Sequence, residues 1–223
     1  NFRNYEDFGY LNPKEKTFGN LLKEAGYATC IAGKWQLNGL NRNNPGNQDV
    51  SRPFQFGFDE YCLWQLHLRA NEGKRYANPV LVQNEKVLPP DPDAYGPRVV
   101  SDYIIDFMNR KAGQPFFVYY PMILPHSPFV PTPDSPEWSD LSRRNENDTA
   151  YFADMISYLD KIVGQLEMKL KEKDLWENTL FIFTTDNGTH RSIYSQTNYG
   201  NIKGAKGESI NYGNHVPMVI NWP

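Results

Sequence analysis

Phe181-Ile182-Phe183-Thr184-Thr185-Asp186-Asn187-Gly188 is the stretch from which the rest of the chain is read. Its apolar, aromatic and β-branched start predicts a buried strand, and its end is a turn, because Asn and Gly tolerate positive φ and Asp bonds to nearby backbone. The turn sets a carboxylate beside an amide carbonyl at the strand's C-terminal end, where open α/β sheets build their sites. Both are hard oxygen donors of the kind Ca²⁺ or Mg²⁺ takes. Taken alone, the triplet reads as a plain turn before it reads as a metal site. Downstream lie Lys203-Gly204-Ala205-Lys206-Gly207 and a strand-like run from Val216 to Ile220.

Working outward, Thr149 to Lys173 predicts a long helix. Phe152, Met155, Ile156, Leu159, Ile162, Val163, Leu166 and Leu170 form its apolar stripe, and Asp154, Asp160, Glu167 and the lysines of 169–173 its solvated face. Phe116 to Tyr120 predicts a second buried strand. A helix over Val99 to Lys111 precedes it, with Val100, Tyr103, Ile104, Phe107 and Met108 on one side. Val80 to Val87 predicts a hairpin turning at Asn84-Glu85, and Phe58 to Trp64 a further strand. Thr17 can cap a helix from Phe18 to about Ala25, burying Phe18, Leu21, Leu22 and Ala25 and stopping at Gly26, with a strand from Tyr27 to Ala32 after it. Segments 38–53, 89–97 and 121–147 read as loops. The alternation predicts an α/β fold with a largely parallel central sheet and helices on both faces.

The 223 residues suffice for one substantial core; 39% are hydrophobic and 22% charged, an ordinary globular composition. A net charge of −3 gives nucleic acid no electrostatic footing, and no apolar run approaches a membrane span. Cys30 and Cys62 read as small buried hydrophobes. The chain opens at Asn1 without Met and closes at Pro223, in or just after a strand, so a portion of a longer protein, cut at both ends, is expected. Asn147-Asp148-Thr149 and Asn187-Gly188-Thr189 fit the glycosylation sequon, which carries no meaning without a secretory context.

Four loops leave predicted strand ends with related chemistry: Lys34 with Gln36, His126 between Pro125 and Ser127-Pro128, Asp186 with Asn187, and Lys206. In a parallel sheet such ends share an edge, so two ammonium groups, an imidazole and a divalent cation could cradle a sulfate or phosphate. Each lysine alone reads as a solvated surface group. His67 and His215 read as structural, and His190 as a candidate beside the metal turn.

Gly26-Tyr27 followed by Gly33-Lys34-Trp35 resembles the second signature of the type I, formylglycine-dependent sulfatases of the alkaline phosphatase superfamily. Pro125-His126-Ser127-Pro128 looks like that family's Pro-His-x-Pro loop, Thr184 to Gly188 like its metal turn, and Lys206-Gly207 through Val216-Pro217 like its lysine loop and following strand. The resemblance covers nearly the whole chain and implies hydrolysis of a small-molecule or carbohydrate sulfate ester. It implies that Asp186 and Asn187 bind Ca²⁺ in preference to Mg²⁺, that Lys34 and Lys206 bind sulfate oxygens, and that His126 meets the ester oxygen and protonates the leaving alcohol. The family's nucleophile is a formylglycine made from Cys or Ser in Cys/Ser-x-Pro-x-Arg. Neither cysteine here sits in that motif, so formylglycine is expected upstream, and 1–223 reads as a partial sulfatase catalytic domain, inactive by itself, lacking the nucleophile segment and a C-terminal subdomain. Gln36 stands where the family usually has His, and an amide cannot accept a proton near neutral pH. Export to the periplasm or exterior is the family's common habit. Two alternatives stay open: a phosphoester or phosphonate hydrolase of the same superfamily, and a catalytically silent anion- or glycan-binding relative.

Overall fold

The computed structural model describes residues 9–39, 48–64, 66, 73–198 and 200–223. It divides into two compact units, Asn1–Leu124 and Pro125–Pro223.

In the first unit, helix α1 (Phe18–Glu24) leads into strand β1 (Ala28–Lys34). Thr17 and Asn20 close a reciprocal cap at the start of α1, as a Thr with an amide side chain three residues on can do. A short helix α2 (Arg52–Gln55), strand β2 (Glu60–Trp64) and the hairpin β3 (Leu81–Gln83) and β4 (Lys86–Val87) follow. Asn84 and Glu85 turn that hairpin with φ of 44° and 67°, the double left-handed geometry of a tight two-residue loop. Helix α3 (Gly96–Lys111) then crosses to β5 (Phe116–Tyr119). The five strands lie in the order β4-β3-β2-β1-β5. β1 is parallel to both β2 and β5, with Ile31 opposite Tyr61 and Tyr119, and the β3-β4 hairpin adds an antiparallel edge. The central sheet is therefore mixed, with a parallel core.

Helices do cover both faces. Successive strand residues point to opposite sides. Phe116 meets Phe107 of α3 edge-on, whereas the next residue, Phe117, meets Phe18 of α1. All five predicted inner residues of α3, Val100 to Met108, are buried. On the other face Ile31, Trp35, Phe56, Phe58, Tyr61, Leu63 and Val82 form one apolar cluster.

Polar side chains pin where β2 begins. Asp59 accepts from the Thr29 backbone N–H and hydroxyl, both at 3.0 Å, and pairs with Lys23 at 2.7 Å. Glu60 takes a two-pronged pair of bonds from Arg110 at 2.8 and 2.6 Å. Cys30 and Cys62 are buried free thiols, and burial pushes Cys62 up to about 12, as inert structural positions require.

In the second unit a single turn of 3₁₀ helix (Thr149–Tyr151) precedes α4 (Phe152–Glu172). Met155, Ile162, Leu166 and Leu170 of its stripe are buried. β6 (Phe181–Thr184) pairs antiparallel with β9 (Met218–Asn221). Between them come the antiparallel hairpin β7 (Tyr194–Thr197) and β8 (Gly200–Lys203), and the short helix α5 (Asn211–Asn214).

Five expectations need correction. β5 is not a buried strand: Phe116, Phe117 and Val118 are half-buried and Tyr119 is 42% exposed. β6 is not buried: its residues alternate between half-buried and exposed, and Ile182 is 49% exposed, because its one strand partner covers an edge and not a face. Leu21 and Phe18 of α1 are about half exposed. Phe18 still makes edge contacts with Phe58, Phe117 and Tyr119, so the inner face is narrower than the periodicity suggested. Ile156, on the α4 stripe, is 42% exposed. Asp154 is not a solvated residue of α4 but accepts a 2.6 Å bond from Ser135 Oγ.

Candidate active site

In the first unit, β1 ends at Lys34, which sits beside Trp64 in register and whose N–H donates to Pro121 O at 2.8 Å. Gly33 before it has φ of 130°, and a Cβ there would overlap the Pro121 carbonyl. Only glycine lets the strand end pass that close to the neighbouring chain. The loop beyond is anchored by buried Trp35, whose indole N–H donates to Asn38 Oδ1 at 2.6 Å. Gln36 follows with φ of 55°, a left-handed turn that swings the chain sharply after the strand. Lys34 and Gln36 are both half-buried.

The second unit holds the other candidates. His126 is half-buried, and its Nδ1 lies 2.7 Å from Ser127 O. A carbonyl only accepts, so Nδ1 carries a hydrogen and a neutral ring has its lone pair on Nε2. Asp186 and Asn187 leave β6 at its C-terminal end. Because β9 runs antiparallel to β6, its N-terminal end meets that same edge, with Thr184 opposite Met218 and Thr184 Oγ donating to Pro217 O at 3.0 Å. The intervening chain therefore folds back over the Asp-Asn turn. Gly188 N–H donates to Gly213 O at 2.8 Å, and a Cβ on Gly188 would overlap Tyr212 O. Lys206 N–H donates to Thr189 O at 3.0 Å, which seats the lysine loop directly on the segment after the turn.

The ligand chemistry of this turn is unspent. Neither the Asp186 carboxylate, the Asn187 amide nor the Lys206 ammonium makes a hydrogen bond or ion pair with any described residue. Hard oxygens left without partners suit a divalent cation. Among the described residues no group of three His, Cys, Asp or Glu could hold a metal by itself; Asp186 and Asn187 supply two oxygen donors, fewer than the six to eight a Ca²⁺ ion takes.

His190 is turned elsewhere: its ring packs edge-on against Phe129 and its Nδ1 is 2.9 Å from Ser192 Oγ. His215 is exposed, and His67 lies outside the described residues, as does the 40–47 part of the predicted surface loop.

Arg191 escaped the sequence reading. Its Nε donates to Lys206 O at 3.0 Å, and it pairs with Glu208 at 3.4 Å, so one side chain clasps both flanks of the lysine loop. An arginine on a polar loop carries no pattern that would mark it.

The sulfatase family profile matches residues 1–223. This chain belongs to the sulfatase family. Among related sulfatases, it is 28% identical to an arylsulfatase of Hemicentrotus pulcherrimus over 96% of this chain and 39% of that protein. It is 27% identical to the N-acetylgalactosamine-6-sulfatase of Canis lupus familiaris over 98% of this chain and 42% of that one. The chain thus spans about two fifths of the length of these curated relatives. The crystal structure of Ps i-CgsB superposes with a TM-score of 0.72 at 24% identity, covering 98% of this chain and 50% of that one. The same protein in complex with k-i-k-neocarrahexaose superposes with a TM-score of 0.67 at 23% identity, over 97% of this chain and 51% of that one. These likenesses confirm an α/β sulfatase fold.

Proposed function

We propose that the whole protein hydrolyses an organic sulfate monoester, with a sulfated saccharide as its substrate class. The reading is carried by the Asp186-Asn187 turn with Lys206 seated behind it, an oxygen pair and an ammonium that have no side-chain partner among the described residues and are held by one backbone network in a sulfatase chain. The saccharide follows from what the relatives' names and the Ps i-CgsB complex describe.

In this reading Asp186 and Asn187 hold Ca²⁺, which when bound draws charge from the ester oxygens. Lys34 and Lys206 neutralise the charge on the sulfate oxygens and so let a nucleophile approach sulfur, while the electron pair of the breaking S–O bond leaves on the alcohol oxygen. His126 keeps its Nδ1 hydrogen on Ser127 O. A proton carried on Nε2 can then pass to the departing alcohol oxygen, which is general acid catalysis. Gln36 donates or accepts hydrogen bonds but takes no proton, so it orients, and the base of the second half-reaction is another group. The nucleophile is a formylglycine outside these residues.

The test is sulfate release by the full-length protein from p-nitrophenyl sulfate and from a 6-sulfated N-acetylhexosamine, with formylglycine confirmed by mass spectrometry. Release that stops on chelation and returns with Ca²⁺ is expected. Formylglycine-bearing protein that leaves both esters intact, or prefers a phosphate monoester, overturns the proposal.

A further inference from the structure

A second site lies on the other flank of the lysine loop. The β7-β8 hairpin, the lysine loop and the start of α5 enclose an open cavity of about 510 Å³, walled by Arg191, Asn201, Lys203, Glu208, Ile210 and Tyr212 among others. That volume is in the range of small-molecule sites. It is built onto the candidate catalytic turn: Glu208 is clasped with Lys206 by Arg191, and the Tyr212 backbone packs against Gly188.

The wall is chemically uncommitted. Lys203 has no hydrogen bond or carboxylate partner among the described residues; its ammonium only stands 5.8 Å from the Tyr194 ring. Arg191 spends Nε on Lys206 O and Glu208, leaving its terminal nitrogens without a hydrogen-bond partner among the described residues. The side chains of Asn201 and Tyr212 likewise bond to none. Two cations face one carboxylate, so the cavity carries a net positive charge. Around it are an amide, a phenol and the apolar flanks of Ile210 and Tyr212, which are 50% and 55% exposed. Polar groups that bond to ring hydroxyls, a ring that stacks and a net positive charge together describe a receptor for an acidic sugar.

We propose that this cavity binds an anionic sugar unit, bearing a carboxylate or a second sulfate, next to the unit whose ester is cleaved. Lys203 and Arg191 hold the anionic group. Asn201 and Tyr212 take the ring hydroxyls. This rests on the sulfatase reading above, and it makes the enzyme a reader of acidic oligosaccharides in preference to isolated sulfated monosaccharides.

Calorimetric titration of the full-length protein tests it. The probes are a sulfate-free disaccharide carrying a hexuronate, its carboxyl-reduced neutral form, and a disaccharide sulfated in place of the carboxylate. The acidic disaccharides should bind and the neutral one weakly, with the tighter acidic probe identifying the anionic group. Lys203→Ala should weaken the acidic probes about tenfold, as loss of one charged contact does, and Lys203→Arg should restore them. Hydrolysis of p-nitrophenyl sulfate should be unchanged in both variants. Equal binding of neutral and acidic probes, or indifference to Lys203→Ala, overturns the proposal. If neither p-nitrophenyl sulfate nor the 6-sulfated N-acetylhexosamine is hydrolysed while Lys203-dependent binding persists, the sulfatase reading fails and the cavity's binding of an anionic sugar stands.

Discussion

Cys30, Ile31 and Ala32 in β1 are at most 2% exposed, whereas Ile182 in β6 and Met218, Val219 and Ile220 in β9 are 49% to 62% exposed. The residue types are nearly the same. What differs is cover: β1 has a strand on either side, α3 over one face and α1 over the other, while β6 has β9 along one edge. An apolar run therefore specifies an extended segment, and the layers around it decide whether that segment supplies stability. In the first unit the strands hold the fold. In the second unit the β6-β9 pair carries a loop that backbone bonds from Gly188 and Lys206 hold in shape.

The contrast can be broken at its chemical end first. Asp186→Ala in the full-length protein should lower calcium affinity and sulfate-ester turnover on the order of a hundredfold or more while leaving the circular dichroism spectrum unchanged. Calcium content by mass spectrometry decides this, and undiminished content removes Asp186 from the metal site. The packing side comes next. Phe107 is 0% exposed against Phe116, and Phe107→Ala should cost about 3–5 kcal/mol in denaturant unfolding. Within residues 1–223, Ile182→Ala should cost below about 1 kcal/mol, and equal losses would erase the distinction between the two regions. Gly33→Ala forces a Cβ onto the Pro121 carbonyl at φ of 130°, and should cost about 2 kcal/mol and displace Lys34.

The smallest effect is acid sensitivity of the first sheet. Hydrogen bonds from Arg110 hold the Glu60 carboxyl below its usual range, outweighing burial. Burial raises Asp59, but bonds from Lys23 and Thr29 outweigh it, so its carboxyl also sits low. A depressed carboxylate binds fewer protons folded than unfolded, so its contribution is complete above the unfolded value near pH 4 and fades as pH falls through the folded one. Glu60→Gln should flatten that decline as pH falls below about 4 in urea unfolding, and an unaltered slope would deny the pair its role.

Much of this was legible beforehand. The α3 face and the Asn84-Glu85 turn follow from local periodicity and turn chemistry, and the structure has them where periodicity sets them; of the α4 stripe Met155, Ile162, Leu166 and Leu170 are buried, whereas Ile156 is exposed and Tyr158, off the stripe, is buried. The sulfatase motifs marked the loops that carry Lys34, His126, Asp186 and Lys206. The β7-β8 hairpin was not read, because its polar residues show no apolar alternation; Asn198 and Gly200 were the only punctuation. Nor could β6 be known as exposed, since cover is a tertiary property. Arg191 was invisible for the same reason: its worth lies in a carbonyl that only the folded loop brings near.

The antiparallel pairing of β6 with β9 has one more consequence. Residues 185–217 depart from and return to neighbouring points, Thr184 and Met218. A segment whose ends already touch can be lengthened, shortened or exchanged at little entropic expense, since closure depends only on the logarithm of its length. The part of this stretch between Gly188 and Gly204 can thus change in length or sequence, retuning which ester is accepted, while the Asp186-Asn187 turn, Lys206 and the strands beneath stay in place.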